Sequence, residues 1–259
     1  MLVHLPRVGS TNDAAKELAA QGAPEGTVVL ADEQTAGRGR LGRRWMAPPG
    51  TCLLCSILFR PRLPLPQVPR LTMLCSLAAA DAIEQVAGLR VALKWPNDLV
   101  VQCPMSNSQP PASKSYRKLA GVLTETGLMG EQVEFAVVGI GINVNVPAEG
   151  LPALAADATS ILAETGRHTD QEELLAALLA GVGTRNERLR AGENPWAEWA
   201  ARLATLGQSV TVTTSTGAWS GIAEAVDEDG ALLLRTPDGA LHRLLAGDVT
   251  LAASSVSHR

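Results

Sequence analysis

Gln34-Thr35-Ala36-Gly37-Arg38-Gly39-Arg40-Leu41-Gly42-Arg43-Arg44-Trp45 is the stretch on which the fold turns. Its Gly37-x-Gly39-x-x-Gly42 spacing matches the dinucleotide-binding fingerprint, which would make the chain a doubly wound α/β protein. That fingerprint works only where the third glycine opens a helix. Here Arg43 to Ala47 lead into Pro48, Pro49 and Gly50, and paired prolines cannot carry a helix onward, lacking the amide proton and clashing with the preceding turn. The stretch is a loop, and the Rossmann reading fails. Four arginines within residues 38–44, spaced by glycines, give it another chemistry. Glycine lets backbone N–H groups approach an anion, and guanidinium forks pair bidentately with phosphate or carboxylate. Such a loop suits a polyphosphate, or a reactive phosphoanhydride that must be held and covered. A solvated basic loop is the plain alternative.

Upstream of the loop, Thr27–Ala31 reads as a short apolar strand and Asn12–Gln21 as a helix, capped by Ser10 or Thr11 and stopped by Gly22. Downstream, Cys52–Phe59 reads as a buried strand. Arg70–Val86 is a helix with Leu71, Leu74, Cys75, Ala78 and Ala82 at helical spacing. Val91–Trp95 and Leu99–Val101 are strands about a Pro96-Asn97-Asp98 turn. Residues 102–116, rich in Pro, Ser and Asn, read as a flexible insertion, after which Leu119–Glu125 and Val133–Val138 complete a sheet. Thr169-Asp170-Gln171-Glu172 is a capping box for one helix, and Asn194-Pro195 starts another. From Gln208 the pattern changes to short strands over Ser209–Thr214, Trp219–Val226, Ala231–Arg235 and Leu241–Leu245. Asp229-Gly230 and Asp238-Gly239 are hairpin signals between the later ones, and successive hairpins predict a small barrel. The expected units are residues 1–206 and 207–259.

The 259 residues carry a formal net charge of −4, with 46% hydrophobic and 19% charged residues. That composition is globular and lacks the overall basic footprint of a nucleic-acid binder. The most apolar stretch, Leu71–Ile83, is broken by Ser76 and Asp81 and is too short to span a bilayer. The N-terminus has no basic segment leading into an apolar one, so a cytoplasmic protein is expected. Cys52 and Cys55 form a C-x-x-C within a strand, where residues three apart point to opposite faces. They read as core thiols, and no structural metal is expected.

Three more segments carry chemistry. Lys94-Trp95-Pro96-Asn97-Asp98 sets a cation, a carboxamide and a carboxylate within one turn. Asp98 or Asn97 would help hold Mg2+ while Lys94 faces phosphate; a polar hairpin end is the alternative. Lys118-Leu119-Ala120-Gly121-Val122-Leu123-Thr124-Glu125 puts a lysine at the start of a buried strand. Val137 to Asn145 has glycines at 139 and 141 inside an apolar strand, with Asn143 on the same face. Glycine weakens a strand unless something must approach closely, so either a ligand lies there or the strand is bulged.

Together with Ser10-Thr11-Asn12, these segments resemble the biotin protein ligase family in content and order, over Val8 to about Val146. The resemblance implies an α+β catalytic domain related to class II aminoacyl-tRNA synthetases and lipoate ligases, with a C-terminal SH3-like barrel. It implies that biotin and ATP give biotinyl-5′-adenylate and pyrophosphate, after which an acceptor lysine attacks. Carried over by position, Ser10, Thr11, Asn12 and Gln34 line the biotin site. Arg38, Gly39 and Arg40 form a loop closing over biotin and the adenylate, with Arg40 also catalytic. Lys118 contacts the reacting carboxylate and α-phosphate. Trp45 and Asn143 hold adenine, and Arg43, Lys94, Asn97 and Asp98 are phosphate or Mg2+ partners.

The implied acceptor is a biotin carboxyl carrier protein or the biotin domain of a carboxylase, and the enzyme is expected to be a monomer or weak homodimer. Only nine residues precede Ser10, whereas many members carry an N-terminal helix-turn-helix, so DNA binding is not expected. A lipoate ligase, or a biotin-sensing protein without catalysis, stays open beside this reading.

Overall fold

The computed structural model describes residues 1–103, 116–215 and 217–251. Strands β1 (Leu2–Leu5), β2 (Val28–Ala31), β3 (Cys52–Phe59), β4 (Ala92–Lys94), β5 (Asp98–Gln102), β6 (Tyr116–Met129) and β7 (Gln132–Asn143) make one sheet. Their order is β1-β2-β3-β7-β6-β5-β4. β1 and β2 run parallel, and the other neighbours are antiparallel. The insertion expected over 102–116 falls outside the described residues from 104 to 115, while Gln102 closes β5 and Tyr116 opens β6.

β3 is buried along its whole length, as a strand covered on both faces must be. Leu53, Cys55, Ile57 and Phe59 join the main core, which includes Leu71, Leu74, Cys75, Ala78 and Ala82 of helix α2 (Pro69–Ala87). Leu58 points the other way, into a smaller cluster with Ala15 and Ala19 of helix α1 (Thr11–Ala20). Cys52 and Cys55 thus sit in separate clusters on opposite faces. α2 ends at Gly88, whose φ of 67° is the left-handed cap that glycine adopts without strain.

Helices α3 (Ile161–Thr165), α4 (Gln171–Arg190) and α5 (Trp196–Ala201) follow. α4 lies against α2, and a side chain at Gly181 would meet Ala78 at 3.3 Å. The capping box expected at Thr169 is displaced by one residue. Asp170 caps α4 by accepting from the amides of Glu172 and Glu173, because Thr169 exchanges backbone bonds with the Asn145 side chain. α1 likewise has no side-chain cap from Ser10, and the Thr11 hydroxyl is engaged elsewhere.

The C-terminal unit is antiparallel: β8 (Ser209–Thr214), β9 (Gly217–Val226), β10 (Leu232–Arg235), β11 (Leu241–Leu244) and β12 (Asp248–Leu251), ordered β11-β10-β9-β8-β12. It is a small SH3-like sheet whose ladder does not close into a barrel among the described residues. Trp95, buried between β4 and β5, joins it to the larger sheet. Its amide donates to Thr205 Oγ1 and its indole N–H to the Gly230 carbonyl.

Candidate active site

Serine and glycine thin out one face of the large sheet at its centre. Ser56, Gly139 and Leu123 align across β3, β7 and β6, and on an adjacent rung so do Leu54, Gly141 and Gly121. Small residues on neighbouring rungs leave a hollow of about 450 Å³, walled by α1, the 34–45 loop and the β4–β5 hairpin. Lys118 reaches it through an irregularity. Leu99 pairs with Ala120 but Val100 with Lys118, so Leu119 is an extra residue in β6. Strand faces alternate, and this bulge turns Lys118 to the side of Gly121 and Leu123.

The deep end of the hollow is polar. Gln34 Oε1 accepts from the Thr11 amide at 2.8 Å and lies 3.1 Å from the Thr11 hydroxyl. Ser56 Oγ stands 2.8 Å from Thr11 Oγ1 and 2.6 Å from Asn12 Oδ1. Asn12 Nδ2 donates to Glu125 at 2.7 Å. A side chain at Gly139 would lie 2.3 Å from Asn12 Oδ1, so this glycine makes room for Asn12. Burial pushes the Glu125 carboxyl up, but Asn12, Lys16 and Arg38 outweigh it and hold its pKa below the ordinary value.

The arginine loop folds back on itself. Gly39 N donates to the Arg43 carbonyl and Trp45 N to the Gly37 carbonyl, with Leu41 and Gly42 left-handed at the tip. No helix opens at Gly42. Arg38 pairs with Asp13 of α1 and with Glu125, and its guanidinium holds the Asp13 carboxyl well below the usual carboxylate range. Arg43 pairs with Asp248 of β12. Arg40 differs: its hydrogen bonds go to neutral acceptors, the Gly247 carbonyl at 3.3 Å and Asn97 Oδ1 at 3.5 Å. Burial lowers its pKa from the ordinary value, with Asp248 and Asp98 opposing. A partly desolvated guanidinium whose hydrogen bonds go to neutral acceptors, with carboxylates near but not bonded to it, is poised for an anion.

Trp45 packs against Gly121 and Gly141, and a side chain at Gly141 would come within 2.7 Å of its indole. The indole nitrogen is buried, without a hydrogen-bond partner among the described residues. Asn143 lies 3% exposed nearby, donates to the Thr159 carbonyl at 2.9 Å and faces the Cys52 thiol.

At the hairpin, Lys118 Nζ is 2.7 Å from Asp98 Oδ1 and 5.6 Å from the Trp45 ring centre. Asn97 is fixed by donating to the Val122 carbonyl. Among the described residues, no three His, Cys, Asp or Glu side chains converge on a metal position. A magnesium ion here would be held by oxygens arriving with a nucleotide, with Asp98 as a protein ligand. That arrangement suits an ion that keeps much of its coordination for phosphate and water.

All fourteen residues singled out in the sequence line this one hollow. Ser56, Glu125 and Asp248 were missed. Ser56 had a signal, as the one hydroxyl facing out of an apolar strand. Glu125 read as the ordinary end of a strand, and Asp248 lies beyond the last strand expected from the sequence.

The profile of the biotin/lipoate A/B protein ligase family matches residues 4–143. This chain belongs to that family. The profile of the biotin protein ligase C terminal domain matches residues 205–251. Among ligases in the family, the chain is 33% identical to the bifunctional ligase/repressor BirA of Bacillus spizizenii over 96% of its own length and 74% of the relative's. It is 35% identical to the biotin--[acetyl-CoA-carboxylase] ligase of Paracoccus denitrificans, over 91% of this chain and 94% of that one. The biotin protein ligase of Aquifex aeolicus, solved in complex with biotin and ATP, superposes with a TM-score of 0.77 at 28% identity, covering 98% and 99% of the two chains.

Proposed function

We propose that this chain is a biotin protein ligase that makes biotinyl-5′-adenylate from biotin and ATP and passes the biotinyl group to a lysine of a carboxylase's biotin carrier domain. One observation carries the reading: a buried polar end and a cationic loop face each other across a single hollow, with Arg40 desolvated and bonded to neutral groups. In the first step a carboxylate oxygen of biotin attacks the α-phosphorus and pyrophosphate leaves. In the second, the acceptor amine attacks the acyl carbon, AMP leaves and the amine loses a proton. Both steps need charge stabilisation and alignment rather than a nucleophilic side chain.

Ser10, Thr11, Asn12 and Gln34 hold the ring end of biotin. Lys118 and Arg40 neutralise the reacting carboxylate and phosphate, and Arg38 and Gly39 carry the covering loop. Trp45 and Asn143 receive the adenine. Arg43, Lys94, Asn97 and Asp98 attend the departing phosphates. Magnesium, bound through the phosphates and Asp98, would supply charge neutralisation there. The units divide near residue 206, and an ATP-consuming reaction sets the protein in the cytoplasm. No described helix is long and apolar enough to cross a membrane.

The test is pyrophosphate release with ATP and either biotin or lipoate, followed by labelled biotin transfer to a carrier domain. Release with biotin alone, and one labelled lysine, is expected. Release with lipoate alone would move the chain to the other branch of its family, and no release with either would make it a binding protein.

A further inference from the structure

The polar end of the hollow has more acceptors than protons. Asn12 Nδ2 lies 2.7 Å from Glu125 Oε2 and 3.4 Å from the Leu123 carbonyl. Both partners only accept, so the amide cannot be reversed and Asn12 Oδ1 is fixed toward Ser56. At the other end, Gln34 Oε1 is fixed as an acceptor by the Thr11 amide. Among the described residues, only the hydroxyls of Ser56 and Thr11 stand between these two acceptors, at successive separations of 2.6, 2.8 and 3.1 Å. Three links share two protons. One link always brings two lone pairs together, in a buried place where such a mismatch is costly.

We infer that Glu125, which does not line the hollow, is a specificity-determining positioning residue: by fixing Asn12 it keeps the polar end short of one proton and so selects a ligand that brings N–H donors. The inference rests on reading the hollow as a biotin-adenylating site. The cyclic urea of biotin offers two N–H groups, whereas the dithiolane ring of lipoate offers none. A site built for a hydrogen-bonding group strongly rejects the analogue lacking it. Glutamine at 125 would remove the selection. Its amide can donate, Asn12 can turn over and donate to Ser56, and both hydroxyl protons can then run toward Gln34, filling every link.

The experiment measures pyrophosphate release for wild type, Glu125→Gln and Asp13→Asn, with biotin and with desthiobiotin, which keeps the same urea. Asp13 pairs with Arg38 and Lys16 as Glu125 does but has no bond to Asn12, so it controls for charge alone. Expected is a rise of at least tenfold in KM for both ureas in Glu125→Gln. The ATP KM should stay within twofold, and Asp13→Asn should shift the biotin KM less than threefold. If Glu125→Gln does not fold, Glu125→Ala carries the test: with no carboxylate holding its Nδ2, Asn12 is again free to turn and donate to Ser56, and the same parallel rise for the two ureas with no change for ATP is expected. Equal effects of Glu125→Gln and Asp13→Asn, or unchanged urea KM values, overturn the proposal while the ligase reading stands. A wild-type chain that releases no pyrophosphate with biotin overturns both.

Discussion

The ammonium of Lys118 rests 2.7 Å from the carboxylate of Asp98, so the hollow holds this cation against a protein anion that an incoming carboxylate and phosphate must displace or share. If Lys118 neutralises the reacting groups, Lys118→Ala should slow adenylate formation by about a hundredfold, roughly 3 kcal/mol in the barrier. The folded state should lose about 1 kcal/mol or less, because both side chains keep solvent contact and such pairs contribute little. Single-turnover adenylate formation and a melting curve, run together, check this. A normal rate removes Lys118 from the chemistry.

Gly139 and Gly141 sit two apart on β7 yet face different side chains, Asn12 and Trp45. Alanine at each should therefore separate two substrates. Gly139→Ala pushes Asn12 aside and should raise the biotin KM by tenfold or more, with a smaller change for ATP. Gly141→Ala displaces the indole and should do the reverse. Steady-state pyrophosphate release with each substrate varied in turn is the measurement, and matching profiles for the two variants would falsify separate subsites.

The buried thiols set a limit at alkaline pH. Burial raises Cys52 to about 11 and Cys55 to about 12, and Cys75 well above its ordinary value. Thiols in the unfolded chain ionise near pH 9 while these stay protonated in the fold. Below that pH the two states bind protons alike and the contribution is fully present. Above it the unfolded chain gives up protons first, so stability falls as pH rises, by about 1.4 kcal/mol per pH unit per thiol. Urea unfolding should show a flat ΔG from pH 7 to 8.5 and a decline beyond. Iodoacetamide at pH 8 should leave these three thiols of the native protein unlabelled.

Period and punctuation made most of the fold legible. β3 was read to the residue because an apolar run interrupted only by Ser56 ends at Arg60, and α2 within one residue at each end because Gly88 stops it. β1 was not foreseen: Leu2–Leu5 is four residues long and half exposed, and its partner β2 lies beyond a whole helix. β12 was missed for a related reason, since its pairing with β8 closes a loop of more than thirty residues. Arg38, Arg40 and Arg43 stood out because arginines and glycines are locally out of place, whereas Ser10, Thr11, Asn12 and Gln34 came only through the family resemblance, and all of them line the one hollow. Glu125 could not be found this way, because its importance lies in what it touches across strands and α1, which no local pattern encodes, while the lone hydroxyl of Ser56 in an apolar strand was a signal passed over. The glycines of β7 left a ligand and a bulged strand both open, and what the structure sets against them is neither, but the side chains of Asn12 and Trp45.

Arg40 gives the sharpest test, because its guanidinium bears on both half-reactions. It reaches from the loop to Asn97 on one side and to the Gly247 carbonyl on the other, bridging the hollow at its mouth. An activated acyl phosphate survives only while water and stray amines are kept away. Arg40→Gly removes a cation facing the developing charge and one of the contacts tying the loop down, while Arg38 and Arg43 keep their own carboxylate partners. Adenylate should still form, more slowly, but escape before the carrier domain arrives. Free biotinyl-adenylate acylates any exposed lysine, so bystander proteins should become biotinylated. The assay is biotin incorporation into an added non-substrate protein with ATP and biotin present, mutant against wild type, with biotin affinity measured in parallel. A rise of tenfold or more in bystander labelling, with weaker biotin binding, is expected. Unchanged labelling together with undiminished affinity means that Arg40 is only a bridging surface charge and that the loop does not guard the intermediate.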